Sequence, residues 1–297
     1  MIFSSFQPVY DVGKYFKLTE LEAAMTQTGD KLALGVIGGG VMAEAIVSCL
    51  ISQQVYDANS ILVSEPQSQR REFWQSEYGV EVTADNLAVM KAKTVLLAIK
   101  PQILESVVNA LDLASNSDFS PLVISILAGV TIKRLQNAFP GCSVIRVMPN
   151  TPATVGEAMS AIAFEQDITS EQVEIANKIF TAVGEVVTVP EYLMDGVTGL
   201  SGSGPAYVAL MVEALADGGV AVGLPRAIAQ KLAIQTVLGT AKLLQESNMH
   251  PAELKDRVSS PGGTTIAGVT ALEKGGFRAA AIEAVKASCD RSKELGS

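Results

Sequence analysis

A short apolar run, Leu32-Ala-Leu-Gly-Val-Ile37, breaks into three consecutive glycines, Gly38-Gly-Gly40, and resumes as a helical stretch from Val41 to Ser52. No other segment limits the fold as tightly. Gly38, Gly40 and Ala43 fit the spacing G-x-G-x-x-A, and each small residue has its own reason. Gly38 permits the tight turn, Gly40 lets backbone approach a pyrophosphate, and Ala43 lets the helix pack on the strand. The helix N-terminus then offers free N–H groups and a partial positive charge to phosphates. In a chain with 25 glycines the spacing alone is weak. The strand before it and the helix after it supply the confirming context, against the plainer reading of a strand-turn-helix with no ligand.

The same alternation continues. β-Branched runs recur at Ser60 to Ser64, Thr94 to Ile99, Leu122 to Leu127 and Ser143 to Val147. Helical segments separate them around Gln67 to Glu77, Leu87 to Lys91, Gln102 to Leu113 and Ile132 to Phe139. Two more strands, Ala158 to Phe164 and Glu185 to Val189, flank a helix at Ser170 to Val183. Such alternation predicts βαβ units and a mostly parallel sheet with right-handed crossovers. Past Pro190 no strand-like run remains. Pro205 sits at a first helical position, opening a helix to about Asp217 that is apolar almost all the way round; a second starts near Pro225 and a third runs from Phe277 to the end. A helix without a polar face is normally buried on all sides. The expected organisation is an extension over residues 1–30, an α/β Rossmann-type dinucleotide-binding domain over 31–190, and an all-α domain over 191–297. A second copy would bury the excess apolar surface of the last, making it a dimerisation domain.

Composition excludes several alternatives. Hydrophobic residues make up 48% and charged residues 18%, enough for a sizeable core. A net charge of -9 without any Lys/Arg-rich run argues against nucleic acid. One histidine makes a zinc site a poor expectation. Cys49, Cys142 and Cys289 form no CxxC pair and read as reduced, mostly buried residues of a cytoplasmic protein. No apolar run reaches the length of a membrane span. Residues 1–30 lack the basic start and apolar centre of a secretory signal, with at most one short helix around Leu18 to Met25.

Two segments carry specificity. The second strand ends Val63-Ser-Glu-Pro-Gln-Ser-Gln-Arg-Arg71. Glu65 could hold a free ribose diol, whereas Ser64, Arg70 and Arg71 could hold a 2′-phosphate; the arginines read equally well as the solvated face of the next helix. The expected cofactor is NADP(H), with NAD(H) possible. Far downstream, Ser260 to Thr265 is a glycine loop flanked by hydroxyls that runs into a helix near Thr264. Such a loop presents N–H and hydroxyl donors to a small anion such as a carboxylate, or is simply a well-capped helix start.

Leu254-Lys-Asp-Arg-Val-Ser-Ser-Pro-Gly-Gly-Thr-Thr-Ile-Ala-Gly268 resembles the signature of the pyrroline-5-carboxylate reductase family. Ala98-Ile-Lys-Pro-Gln102, Arg146-Val-Met-Pro-Asn-Thr-Pro152, Leu200-Ser-Gly-Ser-Gly-Pro-Ala-Tyr207 and Glu213-Ala-Leu-Ala-Asp-Gly-Gly219 resemble it too, so that the similarity runs from about Leu32 to Gly296. The resemblance implies reduction of 1-pyrroline-5-carboxylate to L-proline by hydride from NAD(P)H, the last step of proline biosynthesis. It implies a cofactor site of Gly38, Gly40, Val41, Met42, Ala43, Ser64, Glu65, Asn86, Lys100, Pro101 and Asn150. It implies a substrate site of Ser260, Gly262, Gly263, Thr264 and Thr265, and a homodimer or a larger ring of dimers. Val41 departs from the Asn common at that place in the family, and residues 1–30 have no counterpart, so Met25 could be an alternative start.

A protonated cyclic imine accepts hydride without a simultaneous enzymic proton, so positioning and electrostatics are the protein's main task. Thr265 is the expected hydroxyl beside the ring nitrogen. Lys100 reads as cofactor-loop structure rather than a base, and Glu213 as a structural carboxylate at the dimer contact. The rival reading, a β-hydroxyacid dehydrogenase, needs a lysine early in the interdomain helix, and none stands between Lys178 and Lys231. A non-catalytic dinucleotide sensor would not need the Ser260 to Thr265 loop.

Overall fold

The computed structural model describes residues 32–113 and 119–296. The helix expected around Leu18 to Met25 lies outside them. Eight strands form one sheet: β1 (Leu34–Ile37), β2 (Ile61–Ser64), β3 (Glu81–Thr83), β4 (Thr94–Leu97), β5 (Leu122–Ser125), β6 (Ser143–Met148), β7 (Ala158–Ala163) and β8 (Gly184–Thr188). Their order is β3-β2-β1-β4-β5-β6-β7-β8. Every neighbouring pair is parallel except β6 with β7. The helices between strands are α1 (Val41–Ser52), α2 (Ser68–Tyr78), α3 (Asn86–Val89), α4 (Leu104–Leu111), α5 (Ile132–Ala138) and α6 (Ser170–Thr181). This is the doubly wound α/β arrangement the alternation predicts.

Both faces of the sheet are covered, which is why β1, β4 and β5 are buried along their whole length and apolar but for Thr94 and Ser125 at strand ends. Side chains alternate between two cores. Leu34, Val36, Leu96, Ile124 and Ile145 pack toward α1 and α6, together with Trp74. Ile37, Val95, Leu97, Val123 and Val144 pack toward α3, α4 and α5. β3 has no counterpart in the sequence reading: three edge residues, one exposed and two half-buried, are too few to show a period.

Beyond β8 the chain is helical: α7 (Met194–Val197), a π-helical turn (Thr198–Gly202), α8 (Gly204–Ala221), α9 (Arg226–Ser247), α10 (Pro251–Arg257), α11 (Thr264–Lys274) and α12 (Phe277–Gly296). α8 extends past the expected Asp217, and α10 is an addition to the expected set. α12 returns onto α7 and the π turn. Ser292 Oγ donates to Asp195 Oδ1 at 2.6 Å, and the Tyr207 hydroxyl donates to the carbonyls of Gly199 and Ala284.

The burial expected of the apolar helix is not met within one chain. Of α8 only Ala216 is buried. Ala216, Ala229 and Ala233 are the entire buried core between α8 and α9, while Leu210 is 67% and Leu238 58% exposed. The three cysteines are free and half-buried rather than buried. Among the described residues no helix is long and apolar enough to cross a membrane.

Candidate active site

The C-terminal ends of β1, β4, β5 and β6 open into a cleft of about 240 Å³ lined chiefly by Met42, Ala98, Ile99, Ile126, Met148 and Gly202, with Pro149, Asn150 and Thr151 at its rim. The position follows from the topology. Strand order reverses between β1 and β4, and the helices that follow these strands leave to opposite faces, so a crevice is left at their carboxyl ends. Gly202 brings the π turn to the wall of this crevice. A methyl there would meet Met148 Cε at 2.6 Å.

Met42, on the cleft wall, follows closely on the glycine turn. Gly38 has φ +99°, and a Cβ would lie 2.6 Å from the carbonyl of Ala98, so only glycine fits where β1 passes β4. Gly40 precedes α1 in extended geometry with no side chain capping the helix, which leaves the amides of Val41, Met42 and Ala43 without acceptors among the described residues. A Cβ at Gly40 would meet nothing within 4 Å. Open space in front of bare helix amides is the cradle a dinucleotide pyrophosphate requires. Val41 is 71% exposed and Ala43 fully buried; the burial of Ala43 is what the spacing predicts for the residue that packs the helix on the strand.

The end of β2 flanks the glycine turn where β2 pairs with β1, and none of its residues lines the cleft itself. Ser64 is buried and its hydroxyl donates to Asn86 Oδ1 at 2.6 Å. Glu65 is 8% exposed; its Oε2 accepts the N–H of Gly39 and its Oε1 the N–H of Gln67, both at 3.0 Å. The Gly39 carbonyl accepts from Arg70 Nε at 2.7 Å and from Trp74 Nε1 at 3.0 Å. Arg70 also pairs with Glu44 and lies 4.5 Å over the Phe73 ring. The second Glu44 oxygen accepts the Tyr78 hydroxyl at 3.0 Å; burial first, and then this carboxylate, push the Tyr78 hydroxyl above its usual range. Glu65 therefore serves the glycine turn, a role the sequence reading did not assign it. That reading also passed over Gly39, Glu44, Trp74 and Tyr78. Their one sequence signal is the spacing Arg70, Trp74, Tyr78, which places the three on one face of α2.

The remaining cofactor candidates surround the cleft unequally. Met42 and Asn150 line it. Lys100 is exposed and begins a 3₁₀ turn with Pro101 directly after Ile99. The Asn150 amide is committed to protein: it donates to the Ser201 carbonyl at 3.1 Å and accepts the Met159 N–H at 2.9 Å, bracing β7 against the π turn.

Ser260, Gly262, Gly263, Thr264 and Thr265 form a turn closed by the Gly263 N–H on the Ser260 carbonyl at 3.0 Å. Gly262 has φ +67°, and a Cβ on Gly263 would collide with Ser260 Oγ. α11 starts behind it without a side-chain cap, so its first amides and the Thr264 and Thr265 hydroxyls share one end. None of these five residues lines the cleft at β1 and β4. Glu213 lines a separate groove of about 940 Å³ between α8 and α9. Among the described residues no cluster of three His, Cys, Asp or Glu side chains could hold a metal ion. His250 accepts the Ala252 N–H on Nδ1, capping α10.

Comparison with known proteins bears on both halves. The family model for pyrroline-5-carboxylate reductase dimerisation matches residues 191–295, and one described as NADP oxidoreductase coenzyme F420-dependent matches residues 33–129. The pyrroline-5-carboxylate reductase of Synechocystis is 59% identical over 266 residues, covering 89% of this chain and 98% of its own. That of Arabidopsis thaliana is 44% identical over 90% of this chain and 96% of its own. Among solved structures, the Coxiella burnetii pyrroline-5-carboxylate reductase superposes with a TM-score of 0.82 at 35% identity, covering 90% of this chain and 99% of its own. The Plasmodium falciparum pyrroline carboxylate reductase, solved with NADP bound, gives 0.80 at 31% identity over 90% and 99%.

Proposed function

The chain belongs to the pyrroline-5-carboxylate reductase family, and from that membership we infer that it reduces 1-pyrroline-5-carboxylate to L-proline with NAD(P)H, NADPH preferred, as the final step of proline biosynthesis. The observation that carries the reading is the small apolar cleft beside the bare N-terminus of α1. When bound, the nicotinamide supplies the hydride. The chain's own residues hold and orient. Gly38, Gly40 and the amides of Val41, Met42 and Ala43 take the pyrophosphate; Ser64, Glu65 and Asn86 border the adenosine ribose; Lys100, Pro101 and Asn150 border the nicotinamide end. Met42, Ala98, Ile99 and Met148 keep water from the reacting face.

The loop of Ser260, Gly262, Gly263, Thr264 and Thr265 takes the substrate carboxylate through its amides and hydroxyls, and Thr265 orients the ring nitrogen. A protein-based acid of perturbed acidity is not needed by an imine that arrives protonated, in keeping with a cleft lined by methionine, alanine and isoleucine. We place the domain boundary near Pro190, the protein in the cytoplasm, and the working form as a homodimer or a ring of dimers. The exposed leucines of α8 and α9 support the last point.

Steady-state loss of NADPH absorbance with pyrroline-5-carboxylate, together with chromatographic detection of proline, tests the reaction. Equal amounts of cofactor oxidised and proline formed are expected. Cofactor turnover on a β-hydroxyacid without proline formation would overturn the reading.

A further inference from the structure

The adjacent arginines after β2 are held in different ways. Arg70 has already spent the edge that could grip a phosphate in two parallel bonds: Nε is on the Gly39 carbonyl and Nη2 on Glu44, with its plane against Phe73. Drawing it onto a ligand would release the glycine turn. Arg71 hangs by one nitrogen only, its Nη1 donating at 2.8 Å to the carbonyls of both Glu65 and Pro66. Those carbonyls fix the guanidinium at the carboxyl end of β2, the place where doubly wound folds hold the adenosine ribose. Its Nε and second terminal nitrogen have no protein partner among the described residues, and together they form the edge that grips a phosphate through two parallel hydrogen bonds. The carboxylate of Glu65, whose carbonyl holds Arg71, is turned to the backbone N–H groups of Gly39 and Gln67.

We propose that the two arginines divide the dinucleotide between them: Arg71 reads the 2′-phosphate, and Arg70 is a positioning residue that holds the pyrophosphate turn through Gly39. The proposal rests on the reading of this end of the sheet as an NAD(P)H site. The choice between cofactors then lies with Arg71, while Arg70 acts on either cofactor alike.

Titration calorimetry on the full, assembled protein separates the roles without any turnover. The probes are 2′,5′-ADP and 5′-AMP, which differ only at the 2′ position, with NADPH and NADH beside them. Arg71→Ala should weaken 2′,5′-ADP and NADPH roughly ten- to hundredfold, the range of a lost charged hydrogen-bond pair, and leave 5′-AMP and NADH binding as before. Arg71→Lys should keep part of the preference. Arg70→Ala should weaken NADPH and NADH by the same factor. Arg70→Lys should behave like Arg70→Ala, because an ammonium cannot reach both Gly39 and Glu44 from one stacked plane; it also guards against a folding defect from lost charge. Equal losses for NADPH and NADH in Arg71→Ala, or a loss confined to NADPH in Arg70→Ala, would overturn the division. If wild-type protein binds both dinucleotides with this pattern yet forms no proline, the reaction assigned above fails while the arginine roles stand. If it binds neither 2′,5′-ADP nor 5′-AMP, both fail.

Discussion

Gly39 and Gly40 are neighbours in one turn, yet a methyl group on each should have opposite consequences. At Gly39 an added Cβ would lie 2.6 Å from Trp74 Nε1 and 3.2 Å from Glu65 Cβ. Trp74 is fully buried and bonded to the Gly39 carbonyl, so it cannot step aside without breaking that bond and disturbing the N–H to Glu65 beside it. Overpacking of a rigid core costs about 1–3 kcal/mol, and each weakened hydrogen bond adds about 1 kcal/mol. Gly39→Ala should therefore lose ~2–4 kcal/mol of stability together with dinucleotide affinity. At Gly40 the same methyl meets nothing within 4 Å, and the extended backbone, at φ -75° and ψ -177°, suits any residue. Gly40→Ala should unfold at the wild-type urea concentration while binding NADPH poorly, because its methyl stands where the pyrophosphate must approach. Urea unfolding and calorimetry on the two variants form the test. A Gly40→Ala protein with wild-type NADPH affinity would remove the turn from the cofactor site. A Gly39→Ala protein as stable as wild type would show that the clasp of Glu65, Arg70 and Trp74 yields freely.

Other outcomes follow from single residues. Thr265→Ala should lower turnover of the imine by roughly ten- to thirtyfold, in the lower half of the range for a lost donor at a charged site, with the NADPH dissociation constant unchanged; wild-type kinetics would reduce Thr265 to a helix-start residue. Burial pushes the Tyr56 hydroxyl from 10.0 up to about 12. The folded state thus keeps a proton the unfolded chain has released, and stability that is intact below pH 10 should fall by up to ~3 kcal/mol as pH rises toward 12. Tyr56→Phe should flatten that decline in alkaline urea titrations, and an unaltered slope would refute the assignment. Ser160 is buried with its hydroxyl unpartnered among the described residues; Ser160→Ala should be neutral or stabilising by up to ~1 kcal/mol, whereas a clear loss in the unfolding midpoint would reveal a hidden partner.

The sequence was most readable where short-range periodicity and small residues act together. Leu34 to Ala43 could be read as strand, turn and packed helix because each feature needs only its immediate neighbours. The long apolar strands were equally plain, since burial on both faces leaves a continuous run. β3 was not, because three edge residues, one exposed and two half-buried, carry no period. Glu65 illustrates a different limit. Its type and place suit a ribose contact, but its actual donor, Gly39, lies 26 residues away and comes beside it only when β1 and β2 pair. Asn150 is similar, its amide spent on Met159 and Ser201 rather than left free. The Ser260 to Thr265 loop was visible as glycines and hydroxyls, but that its five candidate residues do not line the cleft within one chain has no local trace in the sequence.

The three-alanine core between α8 and α9 also bears on how the protein is made and kept. Fully burying a leucine contributes about 1.5–3 kcal/mol, and Leu210, Leu232 and Leu238 remain more than half exposed in a single chain. The stability of this region is therefore set largely by encounter between chains, and it scales with how many chains are present. The thermal midpoint should climb with protein concentration. Dilution should soften the helices first, while the sheet with its two filled cores stays folded. A newly synthesised chain carries an adhesive surface until it meets its match, so the interval between synthesis and pairing is when it is most exposed to aggregation.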